Sequence, residues 1–520
     1  MAALIKIFGS TVQASETVSG AIADTTQKKA TYALEVDWDN DGYFTQEGDD
    51  ITDDCWTISC WRGRNYDSQL SSKSSAGTLQ AVLNNNDGKY SSFNVLSPLY
   101  GKILPNLPVR FRVTSPSNAV LWTGYLEEIE PIAQKGPFVS AVLKAKGVMG
   151  QLKTRYISPP AQVSVSTGSV INGILDDMDW PEDKRQIDDG EVTIGRWFIQ
   201  DKSSLEAIYE MEEAEFGFIY EGLNFDIVFE SRYRRLTADR STATNGIFSD
   251  DPASGLPYNA VEQRDPIADI FNRITATVQP YTVQALGDVW TMIDVPFDLG
   301  PGESLTYIAV GGENVAYVEE WTTPVVGTDV TQTGVSDSDI GIVAYKTATK
   351  MFITVENNHP SQTATITLLK ARGTAVTRDD PYQLQSENAD SISKYGIRTY
   401  PLPSPWYGDP VSAQASIDFL ISKQSVVRPI VKIQLPANAS AAMLRQCLER
   451  NISDMITVEA DNGSQLGLIS NFYIEAITHS VSRGGLHNTI FELSPAGQPG
   501  GEFWVLGTST LDSGTVLAYA

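Results

Sequence analysis

The sequence predicts a multidomain protein that is mainly β with α+β parts, and three observations carry that prediction. Its 520 residues exceed what one hydrophobic core usually serves, so roughly three to five compact units of about 100 to 150 residues are expected. Between Tyr32 and Gly147, apolar residues fall on alternate positions in short runs separated by Gly, Asn, Asp and Pro, the pattern of strands that bury one face. From 151 to 235 the texture changes to helical spacing followed by a hairpin.

In chain order, residues 1–30 are small and polar without a clear period and read as an N-terminal arm ordered by a neighbour. The first unit, 31–150, opens on Tyr32-Ala33-Leu34-Glu35-Val36-Asp37-Trp38 and stops at Asp39-Asn40-Asp41-Gly42, where Asp-Gly supplies the positive φ of a tight reversal. Alternation returns at Trp56/Ile58/Cys60, Leu79/Ala81/Leu83, Val109/Phe111/Val113 and Val139/Ala141/Leu143/Ala145, which predicts an antiparallel barrel or sandwich.

A small α+β unit is expected over 151–235. Gly168 to Leu175 predicts a short helix, and Ser203-Ser204-Leu205-Glu206 a capping box opening a second one that Gly217 stops. Residues 236–263, rich in Asp, Ser, Thr, Pro and Gly, read as an exposed loop or linker, and 264–284 as a strand returning to the barrel region. The length of 285–378 suits an inserted β-sandwich, with strands at Met351/Ile353/Val355 and Ala364/Ile366/Leu368. Over 379–494, Asp409 as N-cap and Pro410 at the first helical position start a helix. Strand patterns follow at Val431/Ile433/Leu435, Ile456/Val458, Phe472/Ile474/Ala476 and Phe491/Leu493, and 495–520 is a Gly-, Ser- and Thr-rich C-terminal tail.

Composition narrows the function. Acidic residues outnumber basic ones 64 to 38 for a formal charge of −26, which disfavours adsorption to nucleic acid or anionic lipid. Cys55, Cys60 and Cys447 form an odd, sparse set without metal-ligand spacing, so neither a disulfide framework nor a zinc site is expected. The start of the chain, interrupted by Lys6, does not read as a signal peptide.

The order of short phrases is more particular than the strand pattern. Glu35-Val36-Asp37-Trp38, Asp49-Asp50-Ile51-Thr52, Arg62-Gly63-Arg64, Ala76-Gly77-Thr78-Leu79, Asn86-Asp87-Gly88-Lys89-Tyr90-Ser91, Ser97-Pro98-Leu99-Tyr100-Gly101 and Trp122-Thr123-Gly124-Tyr125 follow one another, and this series resembles the minor tail proteins of long-tailed bacteriophages. Ser204-Leu205-Glu206-Ala207-Ile208, Phe216-Gly217-Phe218-Ile219-Tyr220 and Ile452-Ser453-Asp454-Met455-Ile456-Thr457-Val458 extend the resemblance to the second domain and the closing barrel of tail-tip hub proteins.

The resemblance implies two hub-type β-barrel units flanking the α+β unit, with the sandwich inserted. It also implies a homotrimer in the virion tail tip, assembled in the host cytoplasm, whose paired barrels make a pseudo-sixfold ring. Such a hub would join a sixfold tail tube to a threefold tip and line the channel for genome ejection. Its partners would be distal tail or tube proteins above, fibre or tip proteins below and the tape-measure protein in the channel. DNA would meet it only in transit, and the host cell envelope on attachment. A receptor-binding adhesin acting through 285–378 and a tail-associated cell-wall hydrolase are the alternatives.

Chemistry-bearing motifs are few. Asp37-x-Asp39-x-Asp41-Gly42 matches the first half of a Ca2+ loop, but the twelfth position is Gly48 where such a loop needs Glu. Asp37, Asp39 and Asp41 are thus the candidate metal ligands, with an unliganded Asp-rich turn as the other reading; no other cofactor and no catalytic residues are expected. His479 and His487 lie on opposite arms of a hairpin turning at Arg483-Gly484-Gly485 and, lacking a third ligand, read as surface or edge-strand histidines. His359 stands alone in a polar loop. Glu127/Glu128/Glu130 and Glu212/Glu213/Glu215 read as solvated acidic faces, since neighbours on one element do not face each other across a cleft. Arg232-Tyr233-Arg234-Arg235 is a basic and aromatic cluster; it is expected to pair with carboxylates of an adjacent subunit, with a phosphate backbone as the alternative.

Overall fold

The computed structural model describes residues 26–64, 74–133, 139–265, 270–402, 406 and 410–496, together with the strand pair 503–504 and 516–517. Most of the expected arm and tail, and the N-cap expected at Asp409, therefore lie outside the described residues. Among the described residues no helix is long and apolar enough to cross a membrane.

The first unit consists of β1 (Thr31–Val36), β2 (Cys55–Gly63), β3 (Thr78–Asn84), β4 (Pro108–Ser115), β5 (Ala119–Ile132) and β6 (Ser140–Lys146). They are ordered β1-β4-β5-β6-β3-β2, and every neighbouring pair is antiparallel. Alternation sets the register: Leu79, Ala81 and Leu83 face Ala145, Leu143 and Ala141 on the buried side.

The sheet does not end at β2. Strand Leu468–Ser482 pairs with β2 along Thr57 to Gly63, and with Met455–Ala460 along its other half. On its far edge it runs along Leu486–Pro495, followed in order by Ile430–Pro436 and Ala260–Arg264. The result is one 12-stranded sheet in which Leu468–Ser482 is the shared spine of two β-units. One hydrophobic core runs through both, from Leu34, Phe111 and Trp122 to Val431, Phe472 and Phe491.

Two expectations need correction. Residues 236–263 are not a loop. Ile247–Ser249 pairs in parallel with Met455–Ala460, and Ala260–Arg264 closes the edge beside Ile430–Pro436. Three- and five-residue strands inside an Asp- and Ser-rich stretch give almost no periodic signal, yet Phe248 is fully buried. Nor does the strand Arg273–Val278 return to the barrel. It pairs with Tyr382–Glu387 and Thr399–Leu402 in a separate sheet, where Ile274 and Ala276 pack against Ala413, Ile417 and Leu420 of helix Pro410–Gln424.

The α+β unit packs helices Thr167–Asp177 and Ser204–Glu215 on the hairpin Phe218–Glu221/Ile227–Glu230. The expected capping box does not form: Ser203 Oγ donates to Lys153 O and Ser204 Oγ to Arg155 O, so both hydroxyls tie the helix start to the preceding chain. The helix ends on Phe216 in the left-handed region, one residue before the expected Gly217. Gly217 is needed instead for close approach, because a Cβ there would lie 2.5 Å from Glu230 O.

The sandwich stacks a sheet built around the long strand Ala364–Arg378 on a second sheet of Ser304–Val310, Lys350–Asn357 and Ile340–Lys346. It is inserted between Arg273–Val278 and Tyr382–Glu387, which pair directly.

Candidate functional site

Four segments meet around a buried set of charges where the α+β unit caps the two β-units. The spine strand supplies Glu475 at a β-bulge, where the register against Leu486–Pro495 shifts between Ile474 and Ala476. A bulge re-aims one side chain, and here it turns Glu475 into the junction with no exposed surface. Gly63, at φ +128, lets β2 approach that point: a Cβ would collide with the Glu475 carbonyl.

Arg235 holds the Glu475 carboxylate with both Nη atoms, at 2.5 and 3.1 Å, and donates Nε–H to Ser453 Oγ at 3.1 Å. Ser453 Oγ donates in turn to Glu230 at 2.5 Å; Tyr220 and Arg240 also engage Glu230, and Ser494 donates to Glu475. Arg64 lies 3.6 Å from Glu212 and 3.7 Å from Glu475, and the Arg64 and Arg235 guanidinium groups both stack on Phe218. Burial works to raise the Glu475 pKa, but Arg235, Arg64 and Ser494 together hold it below the ordinary carboxylate value.

Beside this network, Glu221 reaches from the hairpin into the end of the first β-unit. Its two oxygens accept N–H bonds from Gly77 at 2.8 Å and Met149 at 2.7 Å. The cradle requires glycine, since a Cβ on Gly77 would sit 2.5 Å from Glu221 Oε2 and one on Gly147 would overlap the carboxylate. Burial raises the Glu221 pKa to about 7 against those two bonds and the nearby Arg62 charge. Arg62 is itself only 3% exposed; its Nε and Nη1 have no hydrogen-bond partner among the described residues, and burial lowers its pKa to about 10.

Two sequence expectations change here, and a third holds. The arginine cluster pairs within its own chain: Arg235 with Glu475, Arg232 with Glu215 and Arg234 with Asp188. Glu212 and Glu215 are buried, not solvated. Glu212 accepts from Ile219 N–H, and Glu215 accepts from Thr167 Oγ1 and from the Glu191 and Val192 N–H groups. Glu127, Glu128 and Glu130 are exposed and pair with Lys146 and Lys144.

The histidines also move inward. His479 Nδ1 is 3.0 Å from His487 Nε2, Tyr32 OH is 2.8 Å from His487 Nδ1, and Thr489 Oγ1 reaches both rings. Neither is a surface or edge residue: both are buried, Leu468–Ser482 lies between β2 and Leu486–Pro495, and Leu486–Pro495 lies between Leu468–Ser482 and Ile430–Pro436. Burial lowers the pKa of both, His487 to about 4. A signal existed: His479 is in phase with the apolar Ile477 and Val481.

Asp37, Asp39 and Asp41 do converge, offering carboxylate oxygens within 4.8 Å of one another. The fully buried Asp37 accepts N–H bonds from Asp41 at 3.2 Å and Gly42 at 2.9 Å, so the turn is closed by its own backbone. Burial, opposed by those bonds and reinforced by Asp39 and Asp41, raises the Asp37 pKa to about 6.

A second junction is aromatic. Phe198 of the α+β unit stacks on Tyr317 of the sandwich, centroids 4.3 Å apart, and meets Tyr281 and Trp406 edge-on. Arg196 tightens the contact through Tyr317 OH at 2.7 Å and Glu319 at 2.5 Å.

No protein-family model matches the chain, and no curated protein sequence does. Solved structures do. A tail protein from Neisseria meningitidis MC58 superposes with a TM-score of 0.50 at 8% identity, covering 90% of this chain and 97% of that one. The 43 kDa tail protein of prophage MuSo2 from Shewanella oneidensis gives 0.47 at 10% identity, over 89% and 98% of the two chains. Prophage tail protein gp18 from Listeria monocytogenes EGD-e gives 0.41 at 9%, over 89% and 94%. Along nearly its whole length, the chain has the fold of the Neisseria meningitidis tail protein, multidomain and mainly β.

Proposed function

We propose that this chain is a structural, non-catalytic phage tail protein: the central hub of the tail tip, assembled as a homotrimer around the channel through which the genome leaves. The observation that carries the reading is the spine strand Leu468–Ser482, which locks two β-units into one sheet with one core. One chain then presents two β-units in fixed relation, and three copies present six, which matches a sixfold tube to a threefold tip. The fold shared with a tail protein supports the same reading. A net charge of −26 suits a wall past which DNA must slide. In this role the chain meets tube and distal tail proteins above, fibre or tip proteins below and the tape-measure protein within. Copy number in the assembled particle tests the proposal: three copies around an axial pore are expected, and six copies or a poreless globule would refute it.

One observation favours a second role, as adhesin. On the outer face of the sandwich, Ile308, Phe352 and Tyr345 lie side by side across three strands, with Ile308 49% and Tyr345 59% exposed. Binding of the full chain to a cell-envelope glycan, abolished by Tyr345→Ala, would establish it.

A further inference from the structure

The most exposed large apolar side chains among the described residues include Phe93, at 96%, and Leu96, at 90%, both on the connection between β3 and β4, with Val95, Tyr100 and Leu104 beside them. This connection is not slack. Backbone bonds step along it three residues at a time, Gly88 to Asn85, Ser91 to Gly88, Asn94 to Ser91, Ser97 to Asn94 and Tyr100 to Ser97. Asn85 Oδ1 accepts from Tyr90 N–H, Tyr90 OH donates to Asp54 at 2.6 Å, and Ser97 Oγ donates to Lys89 O at 2.5 Å. Tyr90, Leu99 and Leu107 are buried and anchor the ladder. The apolar tips are thus held rigidly in water, an arrangement whose ordering entropy is already spent before any partner arrives.

Charge identifies the partner. The whole chain carries −26, so two copies repel wherever their acidic surfaces meet, and an anionic membrane repels it as well. The run Tyr90 to Gly101 contains no Asp, Glu, Lys or Arg. It is followed at once by Lys102, which is exposed and has no carboxylate partner among the described residues. An apolar surface bordered by a free cation complements the acidic exterior of this same chain.

We propose that the 85–107 loop is the contact by which one copy of this chain holds the next, its apolar tips seated on the neighbour and Lys102 facing the neighbour's carboxylates. The proposal rests on the trimeric reading above and adds the surface that makes it. Sedimentation of the full chain at several concentrations tests both. The wild type should sediment as a trimer, and Phe93→Ser/Leu96→Ser should weaken self-association at least ten-fold, with an unchanged circular dichroism spectrum because both side chains are exposed on the protomer. Lys102→Glu should weaken it further at low salt than at high salt. A photo-crosslinker attached through Phe93→Cys should give an inter-copy product, a readout that does not depend on the serine variant folding. A double variant that trimerises like the wild type would overturn this contact and leave the trimer standing, whereas a wild type monomeric at every concentration would overturn both. Retention of the wild type but not the variant on zwitterionic phosphatidylcholine vesicles would assign the loop to lipid and overturn the proposal.

Discussion

The α+β unit is held on two sides by opposite kinds of junction. Towards the β-units it is held by buried charges, Arg235 on Glu475, Arg64 between Glu212 and Glu475, and Glu221 on two backbone amides. Towards the sandwich it is held by stacked rings, Phe198 on Tyr317 with Tyr281 and Trp406 around them. A buried ion pair is weak evidence for stability but tolerates very little misalignment, because either partner left alone is a desolvated charge. Ring stacking scales with area and survives small shifts. The charged side therefore fixes orientation against the sheet, and the aromatic side fixes attachment.

Substitutions can sharpen that contrast. Arg235→Met leaves Glu475 buried without its main partner and should lower the unfolding free energy by about 3–5 kcal/mol, measured by urea denaturation. Arg235→Met/Glu475→Met should be less damaging than the single change, since it removes the stranded charge; strictly additive losses would refute a coupled network. The next effect is on pH dependence. The Glu221 pKa is raised from 4.5 to about 7 on folding, so the folded state holds the extra proton between those values. Its contribution is complete below 4.5 and is lost as pH rises through about 7, an upper bound of about 3 kcal/mol at 1.36 per unit. Glu221→Gln should flatten the stability profile from pH 5 to 8, while Phe198→Leu should leave its slope untouched. Phe198 is only half-buried, so Phe198→Leu should weaken attachment of the sandwich by about 1–2 kcal/mol, read as faster proteolysis between the units. Lys144→Ala, which removes the exposed bridges to Glu128 and Glu130, should change no melting temperature measurably.

How much of this was legible depended on sequence distance. β1 to β6 were readable because Leu79/Ala81/Leu83 and Val109/Phe111/Val113 alternate within a few residues. The pairing of β2 with Leu468–Ser482 joins segments about four hundred residues apart, and no local pattern announces it. The buried charges failed for another reason: Glu212, Glu215 and Arg235 look like surface residues until their partners arrive from other segments. The convergence of Asp37, Asp39 and Asp41, by contrast, follows from their spacing in one turn.

The insertion leaves and re-enters the body through strands that pair with each other, Val278 opposite Tyr382. Everything between them could be exchanged for a short reversal and the remaining sheet would stay whole. A lineage could swap this appendage freely, provided the newcomer brought a ring for Phe198 and an acceptor for Arg196. The architecture separates what must be kept from what can be replaced.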